Sequence, residues 1–203
     1  MLAFGLFIKI TSELLEHEVS GVDRTILLGF AEARTPWLTA AAVDSTALGS
    51  VTLAVLILTI ALCVLLLLKD RMGALQLVAA SVGAGILTTT IKDYIDRARP
   101  EVVTQLVEDS GLSYPSGHSL AAASLYLTVA ILVCRHLQRT GHQIAILAMT
   151  FGIILLVGMT RIYLGVHYPS DVASGMSLGA AWALLLAGCF SFLPDPKIAH
   201  PGQ

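Results

Sequence analysis

Hydrophobic residues in this chain are grouped into long uninterrupted runs. A helix needs about 20 apolar residues to cross a bilayer, with a working range of about 17–25. Five runs meet or approach this length without any Lys, Arg, Asp or Glu: Thr46–Leu68, Met72–Ile91, Gly117–Cys134, Ile144–Thr160 and Val172–Leu193. Backbone groups in lipid must pair within their own segment, and the runs lack a strand-like alternation. The pattern predicts an all-α, polytopic transmembrane helix bundle with five clear spans.

The first 44 residues carry shorter apolar patterns. Phe4, Phe7 and Ile8 recur at helical spacing, but Lys9 and a following acidic stretch interrupt the run. We expect residues 1–44 to form one or two amphipathic helices in the membrane interface or against the bundle, with a shortened first span as the alternative. Residues 45–193 would then form the bundle, and residues 194–203 a C-terminal tail.

The composition agrees with a membrane protein. Hydrophobic residues make up 56% of the 203 residues and charged residues only 13%, whereas a soluble domain has about 25% charged residues. A net charge of −2 gives no indication of nucleic-acid binding. The three cysteines lie in apolar runs, without the spacing of a metal site or a disulfide framework.

Three polar clusters lie at the ends of the predicted spans. They are "KDYIDRARP" (residues 92–100), "YPSGHS" (114–119) and "TRIYLGVHYPSD" (160–171). Loops that follow even-numbered spans lie on one side of a membrane, so the three clusters should face the same compartment. The short loops at the opposite helix ends are basic, which favours a cytoplasmic location for those opposite ends. However, seven of the 12 basic residues lie on the side of the three clusters. We therefore expect a multi-pass protein of the cell (inner) membrane whose site faces outside.

The first cluster contains cations that are suited to binding an anion. Lys92 and Arg99 are seven residues apart, almost two helical turns, and share one face if the helix continues beyond the membrane. A guanidinium binds phosphate through two parallel hydrogen bonds, while a lysine acts as a point charge. The alternative is a salt-bridged helix end, in which Asp96 pairs with Lys92 and Arg97 points elsewhere.

The second cluster predicts a helix N-terminus that binds an anion. Ser116 is a favourable N-cap before the run that begins at Gly117. The first amides of that helix would be free to bind an anion, and a glycine allows close approach of a ligand. His118 would then lie in the first turn, beside the anion. An ordinary capped helix with a chance histidine is the alternative.

The third cluster combines an arginine with a histidine and a carboxylate. Arg161 directly follows a span, and His167 lies four residues before Asp171. A carboxylate that binds one imidazole nitrogen selects the tautomer and leaves the other nitrogen as a nucleophile. The alternative is an interfacial His–Asp pair that only stabilises a turn.

Taken together, the clusters favour phosphoryl transfer. Several cations, a helix N-terminus and two histidines on one side supply the donors that a transferring phosphoryl group requires. No cluster of carboxylates suggests a metal site, and Asp93, Asp96 and Asp171 already have potential partners. We therefore expect a phosphohistidine intermediate, no metal ion and no other cofactor.

The order Lys-x6-Arg-Pro, Pro-Ser-Gly-His and Arg-x5-His-x3-Asp resembles the phosphatidic acid phosphatase type 2 family. The resemblance extends from about residue 23 to residue 193. It implies that His167 is the nucleophile, Asp171 its orienting partner and His118 the general acid. The implied phosphate-binding residues are Lys92, Arg99, Ser116, Gly117 and Arg161. The chain departs from the family pattern in having Thr160 instead of serine, and in its short or missing first span.

These observations favour an integral membrane lipid phosphatase. Its partners would be the bilayer and a lipid phosphate such as phosphatidylglycerophosphate, phosphatidic acid or undecaprenyl diphosphate, among which the sequence does not choose. Nucleic acid is not an expected partner, and the oligomeric state is left open. A lipid phosphotransferase with the same site is the alternative enzyme. An anion channel or transporter is disfavoured because the spans contain no ionisable residue near the bilayer midplane, where a transport path would usually have one.

Overall fold

The computed structural model describes residues 2–16 and 19–192, and every regular element in these ranges is helical. The helices, in chain order, are α1 (Leu2–Leu15), α2 (Ser20–Glu32), α3 (Pro36–Thr46), α4 (Val51–Leu67), α5 (Arg71–Ile95), α6 (Gly117–Cys134), α7 (Thr140–Tyr163) and α8 (Pro169–Ser191), with a 3₁₀ turn at Ala47–Gly49. The predicted all-α class is confirmed. The last residue of the fifth predicted span and the predicted tail lie outside the described residues.

Four of the five predicted spans are continuous helices. Within the described ranges, α5, α6, α7 and α8 are long and apolar enough to cross a membrane, and a bent α3–α4 pair would make a fifth. Helix α5 continues four residues beyond the predicted end at Ile91. Many large apolar side chains on these helices are exposed, as expected for surfaces that face lipid tails.

The first predicted span, Thr46–Leu68, corresponds to α4 and contains a break near its start. Helix α3 ends at Thr46, and α4 begins at Val51 after a bend of 45°. Ser50 caps α4 by accepting a hydrogen bond from the Leu53 amide. A Cβ on Gly49 would lie 2.6 Å from Val157 and 3.1 Å from His118. The break therefore lets the backbone approach His118, a tertiary requirement that an apolar run does not reveal.

The N-terminal segment forms three helices instead of the expected one or two. Helix α1 packs along α8, and α3 packs against α7. The hydroxyl of Thr11 in α1 lies 2.7 Å from that of Tyr114, which in turn accepts a hydrogen bond from Ser174 in α8. These contacts attach the segment to the bundle. Its location in the membrane interface stays a prediction.

Helix α6 lies at the centre of the bundle and makes its most extensive contact with α8. Gly175 and Gly179 of α8 face α6, so the two backbones approach closely. A Cβ on Gly175 would lie 2.6 Å from the Ser116 carbonyl oxygen, and one on Gly179 would lie 2.9 Å from Ala123. The Gly-x3-Gly pattern therefore serves packing within the chain, and it holds the start of α8 against the start of α6.

We predict that Gly179→Ala destabilises the protein by about 1–3 kcal/mol, because the new methyl group overpacks a backbone contact. Thermal unfolding in detergent, followed by circular dichroism, measures the effect. Gly188→Ala in the same helix is the matched control, since its Cβ would enter open space. Equal melting temperatures for the two variants would contradict the close α6–α8 packing.

Candidate active site

The three polar clusters meet at one end of the bundle. It is formed by the last turns of α5 and α7, the first turns of α6 and α8, and the loop between α5 and α6. The Ser116 amide donates to the Asp171 carbonyl at 3.0 Å, and the Ser113 amide donates to the Arg97 carbonyl at 2.8 Å. Backbone hydrogen bonds therefore join the first cluster to the residue that precedes the second cluster, and the second cluster to the third.

Asp171 is held by local helix geometry. It is the third residue of α8, and its Oδ2 accepts a hydrogen bond from the Tyr168 amide at the helix start, at 2.8 Å. The same oxygen accepts a 2.5 Å hydrogen bond from Ser113 and lies 3.5 Å from His167 Nδ1. That separation is an ion-pair distance at the outer limit of hydrogen bonding. The serine hydroxyl, 3.3 Å from Nδ1, bridges the two side chains.

The neighbours of His167 indicate its tautomer. Its Nε2 lies 3.3 Å from an Arg99 guanidinium nitrogen, which only donates, whereas Nδ1 faces the Asp171 carboxylate. The proton therefore belongs on Nδ1 and the lone pair on Nε2. Burial lowers the pKa of His167, and the opposing effect of Asp171 does not cancel it. The imidazole is thus neutral at neutral pH, as a nucleophile requires.

Arg97, which we expected to point away from Lys92, binds the buried carboxylates beneath the site. Its guanidinium donates to Asp171 at 2.5 Å and to Asp23 of α2 at 2.7 Å, and lies 4.1 Å from the centre of the Tyr168 ring. Burial opposes the charge, but the Asp171 and Asp23 carboxylates outweigh it and raise the pKa of Arg97. Asp23 also accepts the Ser170 amide in the first turn of α8. These contacts fix α2 to the start of α8.

Lys92 and Arg99 do not share a helix face, because α5 ends before Arg99. Asp96 adopts a left-handed conformation (φ 51°) that closes the helix, and Lys92 lies in the last helical turn. Lys92 Nζ donates to the Leu112 carbonyl at 2.6 Å, and not to Asp96 as the alternative had it. Arg99 reaches the site from the loop and donates to the Val166 carbonyl at 2.8 Å.

Arg99 of the first cluster and Arg161 of the third are joined by a carboxylate that lies outside all three clusters. Asp109 Oδ1 accepts a hydrogen bond from Arg99 at 2.9 Å, and Oδ2 accepts one from Arg161. Arg161 also donates to the Thr46 hydroxyl at 3.0 Å. Its Nε is buried and has no hydrogen-bond partner among residues 2–16 and 19–192. One donor in this cluster thus remains open.

The N-terminus of α6 borders this cation cluster. Ser116 is the N-cap, as predicted, and accepts from the Ser119 amide at 3.5 Å, so that amide is not free for a ligand. His118 is half-buried and lies within electrostatic range of Arg161, Asp109, His167 and Arg99. The predicted histidines therefore lie within one electrostatic cluster.

Four residues of the site were missed or undervalued: Asp23, Arg97, Asp109 and Ser113. Arg97 stood in the quoted first cluster, but its spacing from Lys92 gave no sign of its partners. Asp23 is 74 residues from Arg97 in sequence, and Ser113 is 58 from Asp171. No periodicity or motif spacing signals such pairs. Asp109 is an acidic residue between Arg99 and Arg161 in the sequence, and this was the one feature that could have suggested its pairing with them.

No three His, Cys, Asp or Glu side chains in the described part of the chain are grouped to hold a metal ion. The positive charge in this part of the structure comes from Lys92, Arg99 and Arg161. Buried cations beside a helix N-terminus form a site for an oxyanion. The fold and this cluster define a multi-pass membrane protein that gathers cations and two histidines at one set of helix ends.

Comparison with known proteins agrees with this class. The sequence profile of the PAP2 superfamily matches residues 73–194. The chain is 32% identical over 187 residues to phosphatidylglycerophosphatase B of Bacillus subtilis (strain 168), covering 91% of each chain. It is 32% identical over 123 residues to a lipid A 1-phosphatase of Rhizobium johnstonii, covering 54% of this chain and 45% of that protein.

Solved structures give the same result. The crystal structure of a transmembrane PAP2 type phosphatidylglycerolphosphate phosphatase from Bacillus subtilis matches with a TM-score of 0.88 and 28% identity, over 96% of both chains. Aquifex aeolicus LpxE shares the fold, with a TM-score of 0.65 and 23% identity over 81% of this chain and 93% of that chain. The chain belongs to the PAP2 superfamily, so the resemblance noted from its motifs is confirmed. The names of its relatives support its assignment as a lipid phosphatase.

We predict that the His167 imidazole stays neutral below pH 6.5, the ordinary histidine value, since burial lowers its pKa. Histidine-selective NMR in detergent micelles, with His167→Gln to assign the signal, measures the titration. A His167 midpoint at or above about 6.5, the ordinary histidine value, would contradict the buried neutral imidazole.

We predict that Arg97→Met destabilises the protein by about 3–5 kcal/mol, because two buried carboxylates lose their shared cation. Thermal unfolding should show a lower midpoint than for Arg24→Met, which removes the same charge from an exposed position of α2. Adding Asp23→Asn to the Arg97→Met protein should recover part of the loss. Unchanged stability of Arg97→Met would rule out the proposed support of α2 and α8.

Proposed function

We propose that the protein is an integral membrane lipid phosphatase that hydrolyses a lipid phosphomonoester or diphosphate through a phosphohistidine on His167. The observation that carries the proposal is the position of His118. Its side chain lies within electrostatic range of Arg161 and Arg99, and it also lines an apolar groove. A general acid at this border would meet the bond between a phosphate and a lipid.

The groove supports a substrate with an apolar tail. It has a volume of about 470 Å³ and lies between α4, α5 and α6. Its apolar walls include Leu58 of α4, Val82 of α5 and Leu125 of α6, while Gly117 and His118 lie at the polar end. A lipid could keep its tail in this groove while its phosphate reaches the helix ends, with little apolar surface exposed to water.

The cations support binding of the phosphate itself. Arg99 and Arg161 have planar guanidinium groups suited to two phosphate oxygens, and Lys92 adds a point charge. The buried Arg161 Nε, which lacks a protein partner among the described residues, is a ready donor for an anion oxygen. The N-terminus of α6 at Ser116 and Gly117 adds the partial positive charge of a helix end.

The proposed reaction has two displacements at phosphorus. In the first, the Nε2 lone pair of His167 attacks phosphorus as the bond to the lipid oxygen breaks, and protonated His118 donates its proton to that oxygen. In the second, His118 accepts a proton from water as the water oxygen attacks phosphorus and the phosphorus–nitrogen bond breaks. Asp171 stabilises the positive imidazole, and the cations stabilise the equatorial oxygens.

The scheme needs no metal ion, because protein cations carry the compensating charge. The basic residues Lys69, Arg71, Arg135 and Arg139, which lie at the opposite helix ends, support an orientation for the protein in the membrane. The positive-inside rule then puts those ends in the cytoplasm. We propose that the protein lies in the cell membrane with the site facing outside.

We predict that purified protein releases inorganic phosphate from at least one of phosphatidic acid, phosphatidylglycerophosphate and undecaprenyl diphosphate. Release should persist in EDTA and be inhibited by vanadate, which mimics five-coordinate phosphorus. A colorimetric phosphate assay across the lipid panel measures it, and product analysis distinguishes hydrolysis from transfer to a lipid hydroxyl. Reversible loss of turnover on chelation would exclude the metal-free scheme.

We predict different defects for the two histidines. His167→Ala should abolish turnover and covalent labelling, because the nucleophile is absent. His118→Ala should lower turnover by about 10²–10⁴-fold, the usual contribution of general acid–base catalysis, yet retain labelling with p-nitrophenyl phosphate, whose leaving group needs no proton. Labelling with ³²P and acid quenching measures this, with His142→Ala as an exposed control. Full activity of His167→Ala would refute the assignment.

A further inference from the structure

Asp109 lies where the proposed site would bind a phosphate. Its carboxylate joins Arg99 to Arg161, with one oxygen on each guanidinium. The side chains of the two arginines are 8% and 3% exposed, whereas that of Asp109 is 21% exposed. The carboxylate therefore covers the two cations from the more open side. It also acts electrostatically on Lys92 and His118.

A phosphate and this carboxylate compete for the same donors. Both present oxygens to the guanidinium groups, and two anions at one cation pair would repel each other strongly. Binding of a phosphate therefore requires Asp109 to leave Arg99, Arg161 or both. Until then, the carboxylate neutralises Arg161, whose burial makes an unpaired charge costly.

The position of Asp109 in the chain allows such a movement. It belongs to the α5–α6 loop, where its neighbours Glu108 and Ser110 are exposed. The loop itself is anchored on both sides of Asp109, by the Leu106 amide on the Leu164 carbonyl and by the Ser113 amide on the Arg97 carbonyl. A displaced carboxylate thus stays nearby at a high effective concentration and can return when the anion leaves.

We propose that Asp109 is an internal competitor of the phosphate, which sets the affinity of the site for oxyanions and promotes release of the phosphate product. Exchange of one anion for the other keeps the buried arginines paired throughout. The free energy of each departing phosphate contact is offset by a returning carboxylate contact, which favours dissociation. This inference rests on the proposed phosphate site and assigns Asp109 no part in bond breaking.

The test compares Asp109→Asn with Glu108→Gln, which removes the same charge from the adjacent exposed residue. Substrate is the lipid that the wild type hydrolyses best, and the inhibitors are inorganic phosphate and vanadate. Asp109→Asn should lower both inhibition constants about tenfold, the factor expected for one charge-assisted contact. KM should fall in the same direction, and Glu108→Gln should leave all three constants unchanged. Asp109→Ser is the second variant, with the same expectation.

Simple damage to the site would raise the inhibition constants instead of lowering them, because a disordered cation pair binds anions more weakly. Unchanged or raised inhibition constants in the Asp109 variants, with an active wild type, overturn this inference alone. Absence of both phosphate release and vanadate inhibition in the wild type would overturn the proposed function, and this inference with it.

Discussion

The buried carboxylate of Asp171 is the group on which the arrangement of the site depends. Its side chain accepts from Arg97 of the first cluster and from Ser113 in the loop, and it faces His167. Its backbone carbonyl accepts from Ser116 of the second cluster. A charge that is 0% exposed requires such partners, since an unpaired buried carboxylate costs several kcal/mol. Satisfying this one residue brings the three clusters together.

Carboxylates and arginines alternate in two series, and the first of them ends at Asp171. Asp23, Arg97 and Asp171 form one buried series, and Arg99, Asp109 and Arg161 form a second series, whose carboxylate is partly exposed. The two series have different consequences. The inner one joins α2 to α8 and includes the carboxylate that faces His167. The outer one ends in a loop carboxylate, which the proposal above makes the competitor of an incoming anion.

The membrane explains why this polar chemistry is confined to helix ends. Ionisable groups are costly in the middle of a bilayer, whereas helix termini offer unpaired amides and access to water. The groove between α4, α5 and α6 connects that polar end to the apolar part of the bundle. The break between α3 and α4 completes the junction, because it brings Gly49 against His118 and Thr46 to Arg161.

The sequence by itself determined the fold class, four of the membrane-spanning helices, the N-cap at Ser116 and the meeting of three motifs on one side. These features follow from local rules: run length, cap chemistry and the alternation of loops across a bilayer. The sequence also indicated most of the cations of the site and both of its histidines, because they belong to three short motifs that follow one another in a fixed order along the chain.

Only the tertiary structure decided the partners of those residues. Asp23 and Arg97 are 74 residues apart in sequence, and Arg161 and Asp109 are 52 apart. The break at Gly49 allows the backbone there to pack against His118. Pairings over such distances depend on how the helices pack, and an isolated acidic residue has the same local appearance whether it is solvated or buried. The sequence therefore specified which chemical groups are available, and packing determined which of them neutralise one another.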